Sequence, residues 1–344
     1  MKIAFETTAI HSGHKVRGSG FYVANLKDAL LKYVPEHSYV FFNQGDKLVG
    51  DIDLVHYTSF DVFFKTIPFI KRHPSVVTVH DLIPIMFPKH FPAGVRGRIK
   101  WSINKQVLKN ATNAIITDSD SSKNDIVKQL KISNKKVNTI PLASADHFKQ
   151  ILNGDKLLKK YNLPERFVLY VGDSTWNKNL PNIARSIIKA DFPLVIVGKV
   201  FKTTLNYNSW NKDFHEFEKL TAESKLFIKL GFVDSHELIA LYNQATALLM
   251  PSLYEGFGLP VLEAMSCGCP VITSKCGSLP EVAGDAAIFV DPKNVDEIAK
   301  EIRNVVNNQD LRKKLTMKGL KNAKKFSWEK TAHETIKVYL DAIS

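Results

Sequence analysis

The chain has 344 residues, 44% apolar and 24% charged, with a formal net charge of +13. At roughly 100–200 residues per domain this length fits two domains, and the composition excludes a disordered tail, a collagen and a disulfide-stapled miniprotein. Cys267, Cys269 and Cys276 are too few for a disulfide framework and fit a reducing compartment. No apolar run approaches the ~18–20 residues that span a bilayer. The opening run is cut at Glu6, too early for a signal-peptide core. Residues 1–160 carry 24 Lys and Arg against 13 Asp and Glu (+11), residues 161–300 carry 13 against 16 (−3), and residues 301–344 carry 10 against 5 (+5). A basic first lobe of this kind attracts nucleic acid, an anionic membrane or an anionic small substrate.

In chain order, short β-rich runs alternate with helical segments. Lys2 to Phe5 reads as a strand and Tyr22 to Lys32 as a helix. Tyr39 to Phe42, Leu54 to Tyr57 and Ser75 to His80 read as strands. A helix follows over Arg96 to Lys109, then a strand over Ala114 to Thr117 and a helix over Ser121 to Leu130. The pattern restarts after a Lys-rich connection at 149–165. Strands are expected at Phe167 to Gly172, Leu194 to Gly198, Phe227 to Gly231, Ala247 to Met250, Pro270 to Thr273 and Ala287 to Val290. Helices are expected at Leu180 to Lys189, His236 to Asn243 and Pro260 to Ser266. This alternation predicts two doubly wound parallel sheets of the α/β class, with a cleft between two lobes.

The segment from Tyr254 to Met265 carries the strongest chemical signal. Gly256 and Gly258 let the backbone approach a ligand closely. Pro260 suits a first helical turn, where its missing N–H costs nothing. The free N–H groups of that turn suit a phosphate. Glu263 falls about one turn inside, where a carboxylate accepts two hydrogen bonds from a vicinal diol such as a ribose. Glu255 lies before the turn, within reach of another part of the same ligand. The physical reading is a nucleotide-sugar site.

With seven residues between them, Glu255 and Glu263 resemble the paired-glutamate signature of retaining glycosyltransferases of the GT-B fold, in particular family four and its mannosyltransferase-like branch. Pro251-Ser252, Glu255 to Pro260, Glu263-Ala264-Met265, Gly268 to Ile272, Gly277 to Val282 and Gly284 to Ala287 match in order. So do Val79-His80-Asp81, Thr117-Asp118-Ser119 with Ser122-Lys123, Ile140-Pro141, Tyr170-Val171-Gly172, Asn177-Lys178-Asn179 and Phe326-Ser327-Trp328. The resemblance implies GT-B architecture: two Rossmann-like domains facing a central cleft. The acceptor-binding domain would span 1–160 and the nucleotide-sugar domain 161–325. The 326–344 helix would return to the first domain.

The resemblance also assigns roles. Glu263 holds the ribose, Glu255 contacts the donor sugar, and the backbone of Gly256, Phe257, Gly258 and Leu259 meets sugar hydroxyls and phosphates. Lys178 matches the diphosphate-binding lysine, which offsets charge developing on the leaving group. Asn177 stands beside it where the family often has arginine, leaving Lys199 as a candidate for the second charge. His80 lies beside the donor sugar and orients it. His80, Lys178 and Glu255 are the implied catalytic residues. Retention in this family is usually described as a front-face return in which the leaving phosphate takes the acceptor proton.

Gly18-Ser19-Gly20 resembles a dinucleotide-binding turn, but the third glycine of that fingerprint falls at Val23, which excludes the NAD reading. In the GT-B resemblance Gly18 and Gly20 face the donor diphosphate and the acceptor; otherwise they form an ordinary strand–helix turn. On the acceptor side, Asp81 either binds a hydroxyl or caps the following segment, and Ser119 is a further candidate. Three thiols without a nearby His make a poor metal site; they read as small buried residues, and no metal or other cofactor is expected.

Arg96, Arg98, Lys100, Lys105 and Lys109 interleave with Val95, Ile99, Trp101, Ile103 and Val107. This pattern fits a helix on an anionic membrane. It also fits a helix packed on the first sheet with a solvated basic face. Lys71-Arg72-His73 adds charge to the same lobe. The Lys-rich stretch from Arg312 to Lys325 reads as a solvated helix face. The expectation is a metal-independent retaining hexosyltransferase, cytoplasmic or peripheral on the inner face of the cytoplasmic membrane. Its donor is a nucleotide-diphosphate sugar, GDP-mannose preferred and UDP-hexoses open. Its acceptor is a glycan or lipid-linked glycan of lipopolysaccharide, O-antigen or capsule. A non-catalytic subunit that binds a partner enzyme or polysaccharide is the alternative. No nucleic-acid-binding signature accompanies the charge.

Overall fold

A computed structural model describes residues 1–11, 18–70, 72–151, 159–202 and 211–344. Lys71 of the basic Lys71-Arg72-His73 run lies outside them. Two compact units emerge: residues 1–143 with 326–344, and residues 144–325. The first stretch of the first unit closes at Ala143, ahead of the Lys-rich connection. Residues 144–151 join the second unit through specific contacts. Ser144 Oγ lies 2.7 Å from Ser266 Oγ, and Asn243 pairs with Lys149 O (3.1 Å) and Ile151 N (2.9 Å).

In the first unit, strands β1 (Lys2–Glu6), β2 (Ser38–Phe42), β3 (Leu54–Tyr57), β4 (Ser75–Thr78), β5 (Ala114–Thr117) and β6 (Val137–Thr139) form one parallel sheet in the order β2-β1-β3-β4-β5-β6. Helices α1 (Thr8–His11), α2 (Gly18–Tyr33), α3 (Ile83–Met86), α4 (Gly94–Ala111) and α5 (Asp120–Leu130) connect them. Runs such as Ile3-Ala4-Phe5 and Val76-Val77 are fully buried, as covered parallel strands require. Gly18, Ser19 and Gly20 form the first turn of α2 and are not a separate strand–helix turn. Glycine is a poor helix former, but burial of Gly20, Tyr22 and Val23 overrides that preference.

In the second unit, β7 (Val168–Val171), β8 (Leu194–Val197), β9 (Phe227–Gly231), β10 (Ala247–Met250), β11 (Val271–Ser274) and β12 (Ile288–Val290) form a parallel sheet in the order β12-β11-β10-β7-β8-β9. Its helices are α6 (Leu180–Ala190), α7 (Lys212–Thr221), α8 (Ser235–Gln244), α9 (Leu259–Ser266), α10 (Leu279–Ala283), α11 (Val295–Asn307) and α12 (Gln309–Ala323). The apolar stripe of α6, Leu180, Ile183, Ala184 and Ile187, packs in one core with Leu249, Ile272 and Ile298, Ile302, Val305 of α11. The strand order reverses direction between β7 and β10. In open α/β sheets the carboxyl ends of strands at such a reversal carry the ligand.

The chain then returns to the first unit as α13 (Trp328–Ile343). Thr331 Oγ1 donates to Pro141 O (2.8 Å) and Asn113 Nδ2 donates to Ala342 O (2.9 Å). Among the described residues no helix is long and apolar enough to cross a membrane.

Candidate functional site

The β7/β10 reversal brings Lys178 and Glu255 together. After β10 the chain runs through Pro251 to Gly258 and enters α9 at Leu259. Gly258 makes the corner at φ +102°, and a Cβ there would lie 2.9 Å from Leu279 Cδ2. Gly277 (φ +60°) brings a second loop against the first. A Cβ on it would fall 2.4 Å from Glu255 O, so only glycine fits. Ser278 Oγ then donates to Phe257 O (2.7 Å) and Glu255 O (3.1 Å). Gly256, Phe257 and Gly258 are buried and Leu259 is half-buried.

Glu255 is buried. Lys178 Nζ lies 2.8 and 3.0 Å from its two carboxylate oxygens, and Ser252 Oγ donates to Oε1 at 2.7 Å. Lys178 sits on a single turn after β7, Trp176–Lys178. That turn is clasped to the β10 loop. Asn177 Nδ2 donates to Tyr254 O (3.0 Å) and Asn177 O accepts from Leu253 N (2.7 Å). Asn179 Nδ2 donates to Pro251 O (2.9 Å) and Pro292 O (2.7 Å). Asn177, where the family often has arginine, thus aligns the two loops through its amide. Lys199 lies exposed in the turn after β8.

Glu263, on the inner face of α9, is buried and accepts from Tyr242 Oη at 2.9 Å. Burial pushes its carboxyl up to about 7, and the Tyr242 hydrogen bond opposes this only partly. Both carboxylates therefore sit in dry surroundings. One is matched by a cation and the other only by a hydroxyl.

The first unit builds a separate cluster at the ends of β4 and β5. His80 Nδ1 lies 2.7 Å from Asp118 Oδ2, with the histidine side chain 25% exposed. Burial opposes charging of His80, but the charge and hydrogen bond of Asp118, helped by Asp81, prevail and raise its pKa. Among the described residues His80 Nε2 and Asp118 Oδ1 have no hydrogen-bond partner. The Tyr22 and His80 rings lie nearly perpendicular, with their centroids 4.8 Å apart. A buried polar chain backs this contact. Tyr22 Oη and His56 Nε2 each lie 2.8 Å from Thr78 Oγ1, and His56 Nδ1 lies 2.6 Å from Tyr339 Oη on α13. Burial, reinforced by His80, drops His56 to about 3, so it stays neutral.

Other expected residues take local roles. Asp81 Oδ1 accepts from Ile83 N (2.9 Å), two residues on, at the start of α3. Ser119 Oγ accepts from Ser122 N (3.0 Å) and caps α5. Gly18 and Gly20 lie in the first turn of α2, the helix that carries Tyr22. Cys267, Cys269 and Cys276 are free; burial pushes the Cys267 thiol up to about 12. Among the described residues no three His, Cys, Asp or Glu side chains gather as metal ligands would.

Sequence reasoning left Asp118, Tyr242, Ser252, Gly277 and Ser278 off the site. Asp118, Ser252, Gly277 and Ser278 stand in recognisable motifs, yet their contacts depend on neighbouring strands and loops. Tyr242 carries no local signal; it reaches Glu263 from another helix.

The two units match two family profiles in turn. Residues 16–143 match Glycosyltransferase Family 4, and residues 153–322 match Glycosyl transferases group 1. The chain is 32% identical over 276 residues to the O-antigen chain mannosyltransferase B of Escherichia coli, covering 77% of this chain and 70% of that one. It is 30% identical to the serotype-specific mannosyltransferase WbdA of Escherichia coli over 90% of this chain, which spans only 37% of WbdA. In fold it is similar to sucrose-phosphate synthase from Thermosynechococcus elongatus, with a TM-score of 0.76 at 18% identity, covering 99% of this chain and 98% of the synthase. Both units are accounted for by these matches, and the chain belongs to the family-four glycosyltransferases of the GT-B fold.

Proposed function

We propose that the protein transfers mannose from GDP-mannose to a hydroxyl of a growing surface polysaccharide, with retention of anomeric configuration and without a bound metal. The observation that carries the donor site is the convergence of Lys178 and Glu255 at the β7/β10 reversal. The mannosyl donor and O-antigen-type acceptor rest on the names of the relatives. Glu263 accepts the ribose hydroxyls, Glu255 a sugar hydroxyl, and Lys178 steadies the diphosphate. The backbone from Gly256 to Leu259 meets the sugar and phosphates. His80 orients the donor, and Gly18 and Gly20 face its diphosphate. Asp81 and Ser119 stand on the acceptor side. The bond from the anomeric carbon to the phosphate oxygen breaks as the bond to the acceptor oxygen forms, and the acceptor proton passes to the departing phosphate.

The test combines binding and turnover. Thermal shifts with GDP, UDP, dTDP, ADP and CMP in EDTA should single out GDP. GDP-mannose with a lipid-linked glycan acceptor should yield an α-linked product by NMR. A shift with UDP alone overturns the mannosyl donor. Binding without turnover on any acceptor favours a non-catalytic subunit.

A further inference from the structure

Residues 82–117 contain six Lys or Arg and no Asp or Glu. Within them α4 packs one side on the core of the first sheet. It buries Gly97, Asn104, Leu108 and Ala111, and half-buried Trp101 packs on the same core. At about 100° per residue the opposite side presents Val95, Ile99 and Ile103, which are 64%, 56% and 47% exposed. The same geometry puts Arg96 and Lys100 on one flank of this stripe and Arg98, Lys105 and Lys109 on the other.

The neighbouring loop extends the face. Asn104 Nδ2 donates to Val62 O (3.2 Å) and Phe64 O (3.1 Å), which anchors the loop to α4. Phe64 then stands 66% exposed, with Lys100 Nζ 5.0 Å from its ring centroid. Phe69 and Ile70 are 56% and 74% exposed, and Lys65 Nζ lies 4.3 Å from the Phe69 ring centroid. The one acid of the loop, Asp61, accepts from Phe63 N (2.7 Å) and Phe64 N (2.9 Å). Six of the fifteen exposed large hydrophobic side chains among the described residues thus lie on α4 and this loop.

We propose that the outer face of α4 with the 61–70 loop docks on an anionic phospholipid bilayer. An apolar stripe flanked by cations suits the boundary between acyl chains and phosphates, where the stripe sinks in and the lysines and arginines meet headgroups. A second copy of this chain would set like charges against each other. A nucleic acid offers nothing for Val95, Ile99 and Ile103. The proposal does not depend on which sugar, if any, the protein transfers.

Co-sedimentation of the full chain with vesicles tests it. Binding is expected to phosphatidylcholine–phosphatidylglycerol vesicles and not to phosphatidylcholine alone, and it should weaken as salt rises. Arg96→Glu with Lys100→Glu should lower the partition coefficient about 100-fold. Ile99→Ser with Ile103→Ser should lower it about tenfold while leaving the salt dependence in place. Lys313→Glu with Lys314→Glu, exposed on α12, should change it less than about twofold. Circular dichroism checks that each variant folds. Equal binding to neutral vesicles, no binding to either, or equal losses from the α12 variant overturns the proposal. Self-association abolished by the Ile99/Ile103 variant, without vesicle binding, would assign the face to a second copy instead.

Discussion

The two units hold their candidate site residues in opposite ways. In the second, Lys178 and Glu255 already satisfy each other at 2.8 and 3.0 Å. In the proposed donor site, a phosphate on Lys178 competes with Glu255 for the ammonium, which leaves that carboxylate freer to accept from a hydroxyl. Binding there is an exchange of partners. In the first, Asp118 engages His80 Nδ1, while Nε2 has no partner among the described residues. Binding there is an addition. On the proposed reading, exchange favours a ligand that offers both an anion and a hydroxyl, whereas addition needs a prealigned ring. That difference explains the support around each: two loops clasped by Asn177 and Asn179 in one unit, and a buried chain from Tyr339 to Tyr22 in the other.

The largest effect should come from breaking the exchange pair. Lys178→Ala removes the cation and leaves the buried Glu255 with no countercharge, held by the Ser252 hydroxyl. Denaturant unfolding should show a loss of about 3–5 kcal/mol, and turnover should fall by about 10²–10³. Lys178→Met with Glu255→Gln should recover most of the stability and none of the turnover. A single variant as stable as the parent would mean that the pair is not an internal partner swap.

His80→Ala should lower kcat about 100-fold while GDP affinity, measured calorimetrically, changes less than about twofold. An equal fall in both would erase the distinction between the units. Glu263→Ala should weaken GDP binding by about 1–3 kcal/mol. Glu263 adds a pH signature. Its carboxyl sits at about 7 in the unliganded fold against a usual 4.5, so its ionisation costs stability as pH rises through that window. In the proposed ribose role only the ionised form accepts both hydroxyls, so GDP affinity should climb as pH passes about 7. The part of that climb absent from Glu263→Gln belongs to this residue; identical profiles would remove Glu263 from the ribose. The smallest change is Tyr339→Phe, which leaves His56 Nδ1 unpaired. It should cost about 1–3 kcal/mol of stability. If His80 depends on that chain, the pH–rate profile should shift as well, and an unmoved profile would confine the chain to stability.

What could be read in advance follows from range. Buried parallel strands announce themselves as apolar runs, so eleven of the twelve strands among the described residues are expected from β1 onward. The exception, β6, has Val137 as its only large apolar residue and pairs only with β5. Gly256, Gly258 and Pro260 mark a local turn, so Glu255 and Glu263 stood out. Lys178 emerged only through resemblance to a family. Asp118 beside His80 requires β4 and β5 to be neighbours, and Tyr242 on Glu263 requires α8 against α9. Neither adjacency leaves a trace in the linear pattern. The start of α2 at Gly18 was hidden because packing, not propensity, forms its first turn.

The return of the chain at residue 326 also orders events during synthesis. Residues 144–325 leave the ribosome as one uninterrupted stretch, so the second unit is complete before α13 exists. The first unit, although translated first, waits for Tyr339 to meet His56 and Ala342 to meet Asn113. A nascent chain ending at residue 325 should therefore resist protease over 144–325 and be cut within its older half. Equal resistance in both halves would show that the first unit closes without its last helix.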